Sequence, residues 1–556
     1  MRRSLLAAFL LLIPSVAAAQ GPAQPASPSP DSIRIGINRA FATWTATDGP
    51  GCAVAVARDG RIVHQNGYGM ANLETGTPIT PASIFHLASV SKQFTAASIL
   101  LLARDGKLSL DDDIRKHLPE LRDYGHRITI RHLLLHTSGL RDQWELLSMA
   151  RGRFEENRIT ESDILEIVAR QKGLNFAPGE EWAYSNTGYT LAGTIVRRVS
   201  GMSLRDFADA RIFRPLGMAN TQFQDDYTRI IAGRAAGYVR RPAGGWRVGL
   251  PNFDTYGATS LFSNVGDLLK WQANLLRPTV GDSAMIREMM AFTTLSNGDT
   301  SAYGLGLQTS RHRGTRVIGH GGADAGYRTW IGRVPEYGLD LAVLCNASTS
   351  NPQALAYAAA DVIMPRTLTS SPVPPMPARA AVAREVLRAF AGVYVNERTG
   401  AGNILTLRGD SVLIGGVTNG PELVPIGPRR FRSAASPTEY EFLADGTMRE
   451  HSIGAWPSRA SSTWRRYDRW HPTAAELAAY TGTYTSEELG ATYTVAVRDS
   501  TLVFRTRWGN DQIFSPVFKD AFVGPFTAEF VRKGSKVAGM AWTSGRVRKV
   551  RFDRVK

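Results

Sequence analysis

Cysteine is nearly absent: Cys52 and Cys345 are the only two in 556 residues. Both lie in stretches predicted as strands, where an unpaired thiol ordinarily packs as a small apolar group, so two buried free thiols are the expectation. Neither has a histidine paired with it that would make it a nucleophile. Long apolar runs are missing after the first twenty residues, which excludes a later membrane-spanning helix, since that needs ~20 apolar residues. No basic run is interleaved with aromatics and no nucleic-acid module is present. The excess of 65 Lys+Arg over 49 Asp+Glu, a formal +16, is therefore an arginine-rich composition whose field would favour cell-wall polymers or a lipid surface over nucleic acid. His132 and His136 stand one helical turn apart, but no Glu completes a His-Glu-x-x-His, so neither a metal nor a cofactor is expected.

What is present begins with Met1-Arg2-Arg3, an apolar run from Leu5 to Val16 and Ala17-Ala18-Ala19. A basic start, a short apolar core and small residues at a cleavage site describe a secretory signal over 1–19, and hence a secreted or periplasmic protein. Residues 20–31, rich in Pro, Ala and Ser, read as a disordered spacer. A chain of this length with 43% hydrophobic residues holds more than one domain. Asp31 and Ser32 cap a predicted first helix, and Gly51 to Val63 reads as strand, Asp-Gly turn, strand. Helical patterns dominate from Leu108 to about Leu275. Three strands follow, over 319–326, 327–335 and 339–347, then a helix near 352–364. Prolines 372, 374, 375 and 377 mark 366–383 as a semi-extended linker with little reason to pack. Beyond it the pattern is all-β and repeats itself. Ala391-Gly-Val-Tyr394 returns as Thr481-Gly-Thr-Tyr484, and Asp410-Ser-Val-Leu413 as Asp499-Ser-Thr-Leu502. Two units, 384–470 and 471–556, are predicted as small antiparallel barrels, because closure removes exposed sheet edges.

The chemistry concentrates in one stretch, His86 to Gly106. Phe94, Ile99, Leu101 and Leu102 recur near helical spacing and Asp105-Gly106 ends the run. Ser89 and Lys92, three apart, share a helix face, so the lysine can take the proton of the serine hydroxyl if burial lowers its basicity. Trp182-Ala-Tyr184-Ser-Asn186 and Gly319-His320-Gly321-Gly322-Ala323 follow downstream. Ser-x-x-Lys, then Tyr-x-Asn, then a Lys/His-x-Gly strand is the motif order of the serine β-lactamase and penicillin-binding-protein clan, which the chain resembles over 32–365. The phrases Ile128 to Leu140 and Phe176 to Glu180 are similar to that family as well.

The resemblance implies an α+β fold: a β-lactamase/transpeptidase-like catalytic domain, with an antiparallel sheet flanked by helices plus an all-helical half, followed by the two barrels. It places Ser89 as nucleophile, with Lys92 and Tyr184 sharing the proton traffic. A phenol titrates near ~10, so Tyr184 acts as a base only if Lys92 and another cation lower its pKa. Asn186 would orient Lys92 and donate to a substrate carbonyl. His320, Gly321 and Gly322 would line the substrate, and the Ala323 N–H, with that of Ser89, would form the oxyanion hole. His320 stands where the clan usually has lysine, which weakens recognition of a carboxylate and suits D-aminopeptidases and esterases. In that fold the first and last sheet strands are neighbours, which makes a Cys52–Cys345 bond conceivable. The implied activity is hydrolysis of amide or ester bonds in small peptide, D-amino-acid or ester substrates, with β-lactam hydrolysis as the rival. A non-catalytic receptor for penicillins or peptidoglycan fragments is the alternative outside catalysis.

Overall fold

The computed structural model describes residues 28–151, 157–365, 368, 374–409, 412–415, 420–453, 461–506 and 511–555. The expected secretory leader lies outside them. Two strands, β1 (Cys52–Arg58) and β2 (Arg61–Tyr68), form a hairpin whose Asp59-Gly60 turn takes positive φ at both residues, as a tight Asp-Gly turn requires. They join β3 (Gln308–His312), β4 (Thr315–Asp324), β5 (Tyr327–Val334) and β6 (Leu339–Cys345) in one antiparallel sheet of order β3-β4-β5-β6-β1-β2. Edge strand β3 was not anticipated; its Gln-Thr-Ser-Arg-His sequence carries no apolar alternation. Five helices pack on the sheet or carry site residues: α1 (Pro30–Ala40), α2 (Ser91–Arg104), α3 (Asn186–Ser200), α4 (Val265–Leu276) and α5 (Pro352–Ile363).

Strand β1 is buried on both faces, and its side chains alternate between two cores. Val54 and Val56 pack with Ile33 and Ile37 of α1 and Ala356 and Ala360 of α5, while Ala53, Ala55 and Ala57 belong to the core shared with α2 and α4. The small alanines let those helices approach closely. Strand β1 also pairs with β6, and the register sets Cys52 directly opposite Cys345 with Cα atoms 4.0 Å apart. The two are disulfide-bonded, which corrects the expectation of free thiols: side chains at facing register positions project from the same face of the sheet.

Between β2 and β3 the chain builds a mainly helical lobe stitched by short strand pairs. At its centre α2 is buried all round from Ser91 to Leu102, including Lys92, Gln93, Thr95 and Ser98. A helix with no solvent face must satisfy its polar side chains internally. Gln93 accepts from the Trp271 indole at 2.9 Å and Thr95 donates to the Gly257 carbonyl at 2.8 Å.

The C-terminal region is two closed eight-stranded barrels, running from Gly392–Asn396 to Ser462–Tyr467 and from Gly482–Ser486 to Val550–Arg554. Each is preceded by a short helix, Arg384–Phe390 and Ala474–Ala478, that the all-β reading missed. The buried Tyr394 and Tyr484 donate in equivalent ways to the carbonyls of Phe390 and Tyr480. The end of the proline-rich stretch packs, contrary to expectation: Arg432 of barrel one donates to the carbonyls of Pro374 and Pro375, and Arg379 pairs with Glu422 at 2.6 Å. Proline keeps its carbonyl as an acceptor.

Barrel two docks on the helical lobe. Its core is continuous with that of the lobe. The Tyr493 hydroxyl donates to the Met149 carbonyl at 2.8 Å, and the buried Arg141 guanidinium meets Glu488 at 2.6 Å. Among the described residues no helix is long and apolar enough to cross a membrane.

Candidate active site

Ser89 lies in a 3-10 turn, Ala88–Val90, that leads into α2, so the α-helix begins two residues after the serine that was expected within its first turn. Ala88 sits in the left-handed region at φ +49°, a conformation costing an alanine on the order of 1–3 kcal/mol. Hydrogen bonds on both sides hold it there. Thr329 donates to the Leu87 carbonyl at 2.9 Å, and the Ser91 hydroxyl donates to the Ala88 carbonyl at 2.6 Å. The effect is to leave Ser89 half-buried and reachable while its neighbours on both sides are buried.

Lys92 is fully buried. Its Nζ donates to the Ser89 hydroxyl at 3.1 Å, to Asn186 Oδ1 at 2.8 Å and to the Ala258 carbonyl at 2.7 Å, so each of its three N–H groups has a partner. Burial pulls its pKa from 10.5 down to about 7; nearby Asp142 opposes the fall and Arg546 adds to it. Tyr184 hydrogen-bonds Ser89, and its ring lies 4.9 Å from Lys92 Nζ. Burial raises the phenol above its ordinary value, with the Ser89 hydrogen bond and Arg546 pulling the other way. The two groups thus separate: the amine is available as a base near neutrality and the phenol holds its proton.

Asn186, the first residue of α3, aims Oδ1 at Lys92 while its backbone N–H and Nδ2 both donate to Asp142, at 2.7 and 2.8 Å. One of its two Nδ2–H donors is thus spent on orientation, and the second is the one that remains for the expected bond to a substrate carbonyl. His136, buried, accepts from the Ser185 N–H at 3.1 Å, and His132 accepts from the Thr129 N–H at the start of its own helix. The histidine pair that suggested zinc by spacing engages different backbone groups.

Strand β4 runs beside the Ser89 turn. A Cβ on Gly322 would fall 2.2 Å from the Leu87 carbonyl oxygen and 2.4 Å from Thr329 Oγ1, so this glycine lets the strand touch the turn. Gly321, by contrast, has room for a methyl, with nothing closer than 3.6 Å, and it faces outward with Ala323. The expected substrate contact at His320 is not made available. The residue is 6% exposed; Nδ1–H donates to the Gly321 carbonyl at 2.6 Å, and Nε2 accepts from the Tyr303 hydroxyl at 2.9 Å. Burial and the Lys92 charge pull it down to about 4, so it is neutral near pH 7.

Three participants escaped the sequence reading. Asp142, two residues beyond the family-like phrase Ile128 to Leu140, holds Asn186 and bears on Lys92; an acid directly after Ser-Gly-Leu-Arg was its only signal. Tyr303 closes the ring cluster of Tyr184, Tyr189, His136 and His320. Arg546, from the Ser544–Lys549 loop of barrel two, places its guanidinium 5.0 Å from the centre of the Tyr184 ring. Asp142 and Asn175 donate to its carbonyl at 3.2 and 2.8 Å, its N–H donates to Glu145 at 3.0 Å, and the next arginine but one, Arg548, pairs with Glu181 at 2.9 Å.

The chain has relatives among known proteins. A family model described as Beta-lactamase matches residues 37–363. The chain is 31% identical over 414 residues to penicillin-binding protein 4* of Bacillus subtilis, covering 70% of this chain and 89% of that one. It is 30% identical over 328 residues to a D-aminopeptidase of Gluconobacter oxydans, covering 58% of this chain but only 62% of that relative's length. Among solved structures, a D-amino acid amidase from Ochrobactrum anthropi SV3, complexed with L-phenylalanine amide, superposes with a TM-score of 0.50 at 26% identity, over 60% of this chain and 98% of that one.

Proposed function

The chain belongs to the beta-lactamase family, and from that premise we propose that it is a secreted serine hydrolase that opens amide or ester bonds of small peptide or D-amino-acid substrates through an acyl-Ser89 intermediate. The observation that carries this reading is Lys92 Nζ, 3.1 Å from the Ser89 oxygen, in a burial that draws its pKa to about 7. A lysine so placed is half amine at neutral pH and needs no metal to deprotonate a hydroxyl.

Ser89 Oγ attacks the substrate carbonyl carbon as its proton passes to the Lys92 amine, and the N–H groups of Ser89 and Ala323 receive the oxyanion. On collapse, the Tyr184 phenol gives its proton to the departing amine or alkoxide and is reprotonated from the Lys92 ammonium. Water then attacks the acyl-enzyme, Lys92 again taking the proton, and Ser89 leaves with one. Asn186 and Asp142 position the lysine throughout. The Ser544–Lys549 loop narrows access and limits substrate size, and the barrels take no part in bond making. The names of the relatives, D-aminopeptidase and D-amino acid amidase, support an amide next to a D-residue.

Nitrocefin, p-nitrophenyl butyrate and D-alanine p-nitroanilide, run beside a Ser89→Ala control, test the proposal. Turnover of the ester or the anilide, abolished in the control and accompanied by an acyl mass on Ser89, is the expected result. Stoichiometric acylation without turnover of any would assign a receptor instead, preferential nitrocefin turnover a β-lactamase, and absence of acylation would sink the reading.

A further inference from the structure

The charges around Ser89 are unevenly supplied. Strand β4, where the clan usually presents lysine, offers His320, neutral and with both ring nitrogens occupied. Lys92 is buried with its three N–H groups engaged. The exposed cation facing the Tyr184 ring is Arg546, delivered from a different domain more than 350 residues downstream. Its backbone is pinned on both sides of the peptide unit, so the side chain projects from a held loop. The acids nearby are committed elsewhere. Glu145 accepts from the Ser544 hydroxyl and the Arg546 N–H, Asp142 from Asn186, and Glu181 from Arg548. Across the cleft Asp324 accepts from the Thr259 hydroxyl at 3.1 Å. Among the described residues no carboxylate lies within ion-pair distance of the Arg546 guanidinium, whose planar fork matches a carboxylate bidentately.

Resting on the activity proposed above, we propose that Arg546 is the carboxylate receptor of this site, so that the favoured substrate carries an anionic group beside the scissile bond, as a peptide with a free C-terminal carboxylate does. The charge that the clan takes from its third motif comes here from barrel two. A free ammonium in the same position is repelled, which separates this site from an aminopeptidase's.

Two measurements on the full chain test it. The first is binding to the Ser89→Ala protein, which needs no turnover: N-acetyl-D-alanyl-D-alanine against its C-terminal carboxamide, by calorimetry. The carboxylate is expected to bind at least tenfold more tightly at low salt, the ratio falling towards one in Arg546→Met, partly recovering in Arg546→Lys and shrinking with ionic strength. The second compares kcat/KM for benzoylglycyl-thioglycolate and its neutral methyl ester above pH 8, where Lys92 is already neutral, with the difference residing in KM. Equal binding of acid and amide, or a preference unchanged in Arg546→Met, overturns the proposal. A preference for D-alaninamide over both does so as well. If carboxylate selectivity holds in binding while neither thioester is cleaved, the receptor role of Arg546 stands and the hydrolase reading falls.

Discussion

Replacing Lys92 by methionine separates catalysis from folding. Methionine keeps an unbranched chain in the interior and removes the amine. An ordinary lysine, at 10.5, is neutral in about one molecule in 3000 at pH 7; Lys92, pulled to about 7, is neutral in half. That difference corresponds to about 5 kcal/mol between its two protonation states, most of it burial. Wild-type acylation measured by stopped flow is expected to rise about tenfold per pH unit below about 7 and to level off above it, whereas Lys92→Met loses this limb and ~10²–10⁴-fold in rate. Stability responds in a linked way. The native state releases the Lys92 proton near 7 while the unfolded chain holds it to about 10.5, so between those values the unfolded state binds more protons and wild-type stability rises with pH. The methionine variant lacks that contribution. Its unfolding free energy relative to wild type therefore declines by about 1.4 kcal/mol per pH unit from pH 7 to 10, readable by urea unfolding. A limb in the carboxylate range, a variant acylating within a few-fold of wild type, or parallel stability curves would refute the assignment of Lys92 as the base.

Gly322→Ala drives a methyl into the Leu87 carbonyl; a loss of about 1–3 kcal/mol and slowed acylation are expected, while Gly321→Ala folds like wild type in a thermal melt. Cys52→Ala removes the bond that ties β1 to β6 and should cost about 2–5 kcal/mol, and reduction of the wild-type protein should lower Tm to that of the variant. Glu488→Ala leaves the buried Arg141 without its acid; weakening of the barrel-two interface by about 3–5 kcal/mol is expected to appear as faster proteolytic release of that barrel and relaxed substrate-size selectivity, and an unchanged digestion pattern would remove the pair from the docking interface.

Local chemistry was readable from the chain. Hydrophobic periodicity marked α2, the Asp-Gly turn marked the β1–β2 hairpin, and spacing alone put Ser89 and Lys92 on one face, because helical geometry is set within a few residues. The internal repeat announced two barrels for the same reason: strand alternation and turn residues are local signals. Distances between segments were not readable. Cys52 and Cys345 face each other only because β1 and β6 close the sheet side by side. Asp142 reaches Asn186 only because the segment 140–143 packs against the start of α3. His320 looked like a substrate contact until burial gave both of its nitrogens to Tyr303 and Gly321. Arg546 carries no sequence mark of its site, since a basic residue in a barrel hairpin is ordinarily a solvated one. What brings it to Tyr184 is the docking of barrel two on the helical lobe, through a shared apolar core and the Arg141–Glu488 pair, and burial of that kind depends on matched surfaces far apart in the chain.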